Sequence, residues 1–198
     1  MIPEAKEDAV AHALRVAVGV AEFEDIRMLT AGLTSALVFR IVVQGCPYLL
    51  RVAMSSDAAA GPGQGDPTNH FAWMRKAAEA GIAPRVWYTN TEDRVSLTDF
   101  VEARPLSMTE ALARLLVTLQ RLHALPPFPV PRVVNYLDAV DGFVRRFQAA
   151  KILPESETEE LVQLYASVAS VYPRHDADMV SSHNDLKPEN ILFDGDGV

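Results

Sequence analysis

Between Val101 and Pro105 the apolar pattern of the chain changes period, and this constrains the fold more than any other feature. Before that point, Asp25–Met28, Leu37–Val43, Tyr48–Val52, Arg85–Thr89 and Arg94–Phe100 are short, rich in branched and aromatic residues, and read as strands. One helical pattern precedes them and another interrupts them. One is Ala9–Val20, with Val10, Leu14 and Val18 four apart; the other is Asn69–Ala80, stopped by Gly81 and Pro84. After Pro105 the pattern is helical throughout. Ser107 and Glu110 form a capping box ahead of an apolar stripe on Leu112, Leu115, Leu116, Leu119 and Leu122. Tyr136, Val140, Phe143, Val144 and Phe147 draw a second stripe. Ser156 with Glu159 caps a third, on Leu161, Leu164, Tyr165 and Val168. Strands first and helices afterwards predict an α+β fold with antiparallel strands.

The connections support this order. Gln44-Gly45-Cys46-Pro47 predicts a hairpin between the second and third strands, and Asn90–Asp93 a turn between the last two. Ser55–Thr68 has several Gly and Pro and no periodicity, so it reads as a mobile loop; without a following Gly-Lys-Ser/Thr it is no phosphate-binding P-loop. Asn190–Phe193 reads as a strand and Asp194–Gly197 as a hairpin turn. A strand led into a turn with nothing to pair against leads to the expectation that the chain is a fragment of a longer one.

Composition excludes several classes. With 18 Lys and Arg against 26 Asp and Glu, the net charge of −8 lacks the basic footprint of sequence-independent nucleic-acid binding. No apolar run reaches the roughly 18–20 residues of a membrane span. The acidic N-terminal ten residues do not resemble a signal peptide. A single cysteine, Cys46, rules out an intramolecular disulfide and fits a reducing cytoplasm. The expectation is a cytoplasmic protein with no nucleic-acid or membrane partner.

The densest polar cluster is Ser181–Asn190, in which His183, Asp185 and Asn190 stand in the pattern H-x-D-x-x-x-x-N. Phosphoryl transfer needs a carboxylate to take or orient the proton of the attacking hydroxyl, and a neutral amide oxygen to hold Mg²⁺ beside the phosphates. Four residues between Asp185 and Asn190 allow both to face one cleft. Lys187 is placed to offset charge on the transferring phosphoryl group, and His183 to anchor the loop. Asp and Asn are each common in turns, so either alone means little. Their combined spacing ahead of Ile191-Leu192-Phe193 carries the assignment.

At this point the sequence resembles the aminoglycoside phosphotransferase and choline kinase family, relatives of the protein kinases, from about Arg27 to Val198. Ala31-Gly32-Leu33-Thr34-Ser35 resembles that family's glycine-containing turn, with Ser35 where Asn is commoner. The resemblance implies that backbone N–H groups of Gly32, Leu33, Thr34 and Ser35 lie near the phosphates of ATP. Tyr48–Ala53 resembles the strand that carries the phosphate-binding cation, which makes Arg51 that cation; standing alone, it reads sooner as an exposed arginine on an edge strand. Gly81-Ile82-Ala83-Pro84 and Leu97–Leu106 resemble the family's G-I-A-P turn and hinge, with main-chain groups of Asp99, Phe100 and Val101 at the adenine edge. Leu122-His123-Ala124-Leu125 matches a helix end at which His123 is structural.

The implied fold is protein-kinase-like and two-lobed. Residues 1–101 form a nucleotide-binding lobe with a hinge near 98–102, and 102–198 a partial helical lobe with its catalytic loop at 183–190. The implied activity is transfer of the γ-phosphate of ATP, with Mg²⁺, to a hydroxyl of a small molecule such as an amino alcohol or aminoglycoside, a cationic acceptor being one that the acidic balance suits. Two departures stand out. The helical Glu that should pair with Arg51 falls, by counting back from Gly81, at His70, with Asp66 and Glu79 the nearest acids. The family's second metal-binding Asp would follow Val198, so these 198 residues alone are expected to be inactive. Two other readings stay open. Asp185–Asn190 also resembles a Ser/Thr protein kinase, though no G-x-G-x-x-G-x-V or Val-Ala-Ile-Lys accompanies it, and the missing Glu fits a non-catalytic nucleotide-binding module.

Overall fold

The computed structural model describes residues 1–29, 36–54, 67–126, 136–172, 180–183, 185–186 and 190–194. The order of elements is α1 (Glu4–Val18), β1 (Asp25–Met28), β2 (Leu37–Val43), β3 (Cys46–Val52), α2 (Pro67–Glu79), β4 (Val86–Asn90), β5 (Val95–Asp99), α3 (Met108–His123), α4 (Tyr136–Ala150) and α5 (Glu155–Val171). The α+β reading holds, and the five strands predicted ahead of Val101 are present. They form one antiparallel sheet in the order β1-β2-β3-β5-β4. The chain divides into two compact units, Met1–Phe128 with Ser181–Val198, and Pro129–Val180.

Local chemistry explains the sheet. Gln44 and Gly45 both take positive φ, 53° and 75°, which is the two-residue turn whose twist suits a tight hairpin. The turn is shorter than the sequence predicts, because Cys46 and Pro47 already belong to β3. Glu24 steadies it by accepting the Gly45 N–H at 3.2 Å. Alternation along β2 and β3 then sends Phe39, Ile41 and Val43 to the same face as Tyr48, Leu50 and Val52. Val95 and Leu97 of β5 join them. This face is closed by α1, whose Val10, Ala13 and Leu14 complete the core with Ile2. The opposite face carries Val38, Arg40, Leu49, Arg51, Ser96 and Thr98.

Several expectations are corrected. α1 begins at Glu4 rather than Ala9, because its first turn is polar and carries no apolar period. α2 begins at Pro67, inside the predicted loop; proline suits a first helical turn, where its missing N–H is no loss. The Ser107–Glu110 capping box is present in both directions, with Ser107 N–H donating to Glu110 Oε2 at 3.2 Å and Glu110 N–H to Ser107 Oγ at 3.3 Å. The Ser107 hydroxyl, donating to Glu110 Oε2 at 2.6 Å, and then the Ser107 N–H hold the Glu110 carboxyl below its ordinary value. The predicted Ser156 cap is absent. Pro154 occupies the cap position, and Ser156 falls inside the first turn of α5. Ile191–Phe193 does not form a strand; the Phe193 carbonyl instead accepts the Arg104 N–H at 3.0 Å. Residues 55–66 and the turn at 195–197 lie outside the described residues. No helix among the described residues is long and apolar enough to cross a membrane.

Candidate active site

The Met1–Phe128 and Ser181–Val198 unit contains every residue assigned a role from sequence. Asp185 and Asn190 are brought together. The Asn190 Nδ2 donates to Asp185 Oδ2 at 2.6 Å and to the Asp185 carbonyl at 3.0 Å, so one carboxamide locks both ends of the aspartate. Its Oδ1 is left as an acceptor. The Asp185 N–H donates to His183 Nδ1 at 3.3 Å, which requires the His183 proton on Nε2. His183 therefore anchors the loop. The loop is attached at both ends, through Ser181 Oγ donating to the Pro126 carbonyl at 3.2 Å and through the Arg104–Phe193 bond. That second bond ties the segment after the hinge to the segment after Asn190. Lys187 lies outside the described residues, and so do Gly32, Leu33, Thr34 and Ser35.

Arg51 is half-buried on β3, opposite Val38 on one side and Ser96 on the other. It occupies the face that α1 leaves open. No acid stands at the position counted back from Gly81; His70 does, in the first turn of α2. His70 keeps an exposed edge, yet desolvation and then the Arg51 charge hold its imidazole below the ordinary value of 6.5. The charge of Arg51 thus reaches His70. Protonating His70 is harder in the folded chain than in the unfolded one, so stability is whole above about pH 6.5 and declines as pH falls through that value. Urea unfolding of the parent chain and His70→Asn between pH 7.5 and 5.5 checks this. The parent should lose stability relative to the variant on acidification, and a gap independent of pH would contradict it.

The hinge segment is partly engaged by the sheet. Asp99 shares the face of Tyr48, where its Oδ1 accepts the Trp87 Nε1–H at 2.6 Å, so its side chain serves the α1 side. Its N–H donates to the Arg85 carbonyl at 3.0 Å, and the Phe100 N–H to the Pro47 carbonyl at 3.4 Å. Among the described residues the Val101 N–H has no main-chain partner, while its carbonyl accepts from Ala103 at 3.0 Å. The G-I-A-P turn closes α2 with Gly81 at φ 66°, and Arg121 of α3 donates to the Ala80 carbonyl at 2.7 Å. His123 is exposed in the last turn of α3. Arg40 was not singled out from sequence, and neither was Glu102; their one signal is a charge within the apolar run of β2.

Among the described residues no group of three or more His, Cys, Asp or Glu gathers as a metal cage. The chemistry available is a single carboxylate fixed beside a carboxamide, in a unit whose antiparallel sheet carries Arg51 and Arg40 on the face that α1 leaves open. An antiparallel five-stranded sheet followed by helices, with H-x-D-x-x-x-x-N after them, is the protein-kinase-like arrangement. The sequence model of the phosphotransferase enzyme family matches residues 25–198, and the chain belongs to that family. No curated protein matches it in sequence.

Solved structures share its fold at low identity. A choline/ethanolamine kinase family protein from Mesorhizobium loti superposes with a TM-score of 0.55 at 18% identity, over 85% of this chain and 55% of its own. The choline kinase LicA from Streptococcus pneumoniae gives 0.62 at 14%, over 89% and 61%. A spectinomycin phosphotransferase, solved with ADP and spectinomycin, gives 0.56 at 13%, over 96% and 65%. The chain thus spans 55–65% of the length of these proteins, and its helical part is a partial counterpart of theirs.

Proposed function

We propose that this chain is the nucleotide-binding and catalytic-loop portion of an ATP-dependent phosphotransferase acting on a hydroxyl of a small molecule, an amino alcohol or an aminoglycoside. The observation that carries the reading is the locked Asp185–Asn190 pair in a chain of the phosphotransferase enzyme family. Asp185 takes the proton of the acceptor hydroxyl as its oxygen attacks the γ-phosphorus, and the bond from that phosphorus to the β–γ bridging oxygen breaks, with ADP leaving. Lys187 offsets charge on the phosphoryl group. Arg51 grips the nucleotide phosphates, with the backbone of Gly32–Ser35 over them. At the hinge, Asp99–Val101 meet the adenine edge, and the Val101 N–H is the donor that the sheet leaves available. The lobe boundary falls near residue 102.

Oxygen-only donors suit a hard divalent cation, and the Asn190 Oδ1 fits Mg²⁺ in kind, while the Asp185 carboxylate serves as the base. When bound, the ion would neutralise charge on the phosphate oxygens. Support for a small acceptor comes from the similar structures, of which one was solved with spectinomycin. Nucleotide binding is supported by LicA in complex with AMP and by the ADP complex of the spectinomycin enzyme. A second reading, a nucleotide-binding module without turnover, is favoured by His70 standing where an acid is expected.

The test incubates a polypeptide containing residues 1–198 with labelled ATP, Mg²⁺, and choline, ethanolamine or an aminoglycoside, beside a generic protein substrate. Label on a small molecule supports the proposal. Label on the protein substrate alone moves the assignment to a protein kinase, and ATP binding with no transfer moves it to the module.

A further inference from the structure

Arg40 stands in the middle of β2, whose other residues are all apolar, on the sheet face that α1 does not cover. Strand pairing does not explain it. Its direct neighbour on β1 is Arg27, a like charge that disfavours the pair, and its neighbour on β3 is Leu49. The partners that do explain it come from outside the strand. The guanidinium lies 5.2 Å from the centroid of the Phe100 ring. Its Nη2 donates to Glu102 Oε1 at 3.3 Å, and its Nη1 stands 3.9 Å from Asp25 Oδ2. The Arg40 side chain is 24% exposed, whereas those of Asp25 and Glu102 are 65% and 71% exposed.

An ion pair between exposed groups adds little by itself. Arg40 differs because one planar group is stacked and paired at once, which fixes its geometry as a lysine would not. The segment it holds is otherwise lightly attached: the Phe100 N–H reaches the Pro47 carbonyl only at 3.4 Å, and Ala103 turns back to Val101. We propose that Arg40 is a positioning residue for the hinge: by stacking on Phe100 and pairing with Glu102, it sets the path of residues 100–102 and so the place of the Val101 N–H. The proposal rests on the reading of Asp99–Val101 as the adenine-binding segment. Arg51 lies on the same face, two residues further toward the start of β2 through its pairing with Val38, and belongs to the phosphates instead. The two arginines therefore have separable effects.

Calorimetric titration of the full chain with adenosine and with ATP tests this, on the parent, Arg40→Met, Arg40→Lys, Arg51→Met, Arg40→Glu and the swap R40E/E102R. Arg40→Met should weaken adenosine and ATP by the same factor, about fivefold for one half-buried pair. Arg51→Met should weaken ATP and leave adenosine unchanged. Arg40→Lys should recover only part of the loss, and the swap should bind adenosine more tightly than Arg40→Glu alone. A merely structural role would lower the melting temperature of Arg40→Met with adenosine affinity unmoved, and that result overturns the proposal. So does a swap no better than Arg40→Glu. Failure of the unsubstituted chain to bind adenosine would appear before any substitution, and would overturn the hinge reading together with the role given to Arg40.

Discussion

Replacing Phe39 with alanine should lower the free energy of unfolding of the sheet unit by about 3–5 kcal/mol, the largest stability effect expected of any single truncation here. Phe39 is 0% exposed and is the largest of the fully buried side chains. It lies on β2 among Ile41, Leu50 and Leu97, under the helix that supplies Leu14. Removing the ring forfeits its transfer from water and leaves a void that paired strands close only in part, since the hydrogen-bonded register fixes their spacing. A domain of ordinary stability has only about 5–15 kcal/mol in total, so the variant should sit near its unfolding threshold at room temperature. Urea denaturation followed by tryptophan fluorescence measures the change. Val16→Ala, on the exposed side of α1, is the control and should shift stability by no more than about 0.5 kcal/mol. Equal losses at the two positions would contradict the described core.

The second large effect is chemical. Asp185→Asn should reduce the single-turnover rate of phosphoryl transfer by about 10²–10⁴-fold, the range associated with loss of a positioned proton acceptor. ATP affinity should change little, because the proposed contacts to the nucleotide come from Arg51, residues 32–35 and the hinge. The substitution removes the charge and also confronts two amides. Asn190 Nδ2 now donates to Asp185 Oδ2 at 2.6 Å, and an NH₂ group in that place would force one carboxamide to rotate. Asp185→Ala separates these contributions, since it removes the carboxylate without setting a second amide against Asn190 Nδ2. Rates from rapid-quench measurements with the parent acceptor decide the matter. Unchanged turnover in Asp185→Asn would remove Asp185 from the proton path.

What the sequence discloses here is what short-range physics controls. The hairpin at Gln44-Gly45, the capping box at Ser107 and Glu110, and the five strands depend on turn residues and periods within a few positions, and all can be read directly. The Asp185–Asn190 pair was legible for the same reason: its two members are five residues apart. Signals that depend on distant partners were hidden. Ile191–Phe193 has strand composition, but whether a strand forms depends on a neighbour, and the Phe193 carbonyl finds Arg104 instead. Ser156 looks like a cap until Pro154 takes that position. Arg40 and Glu102 are separated by 62 residues, and nothing in either neighbourhood announces that they meet.

The helix over the sheet has a further consequence for where this protein can be cut. The family match starts at residue 25, yet the layer that seals Phe39, Ile41 and Leu50 from water is contributed by residues before it. The boundary of shared ancestry and the boundary of independent folding therefore differ on this chain. A polypeptide begun at Asp25 would retain every residue assigned to the chemistry. It would also present one whole side of a five-stranded sheet to solvent, as an apolar surface open to association.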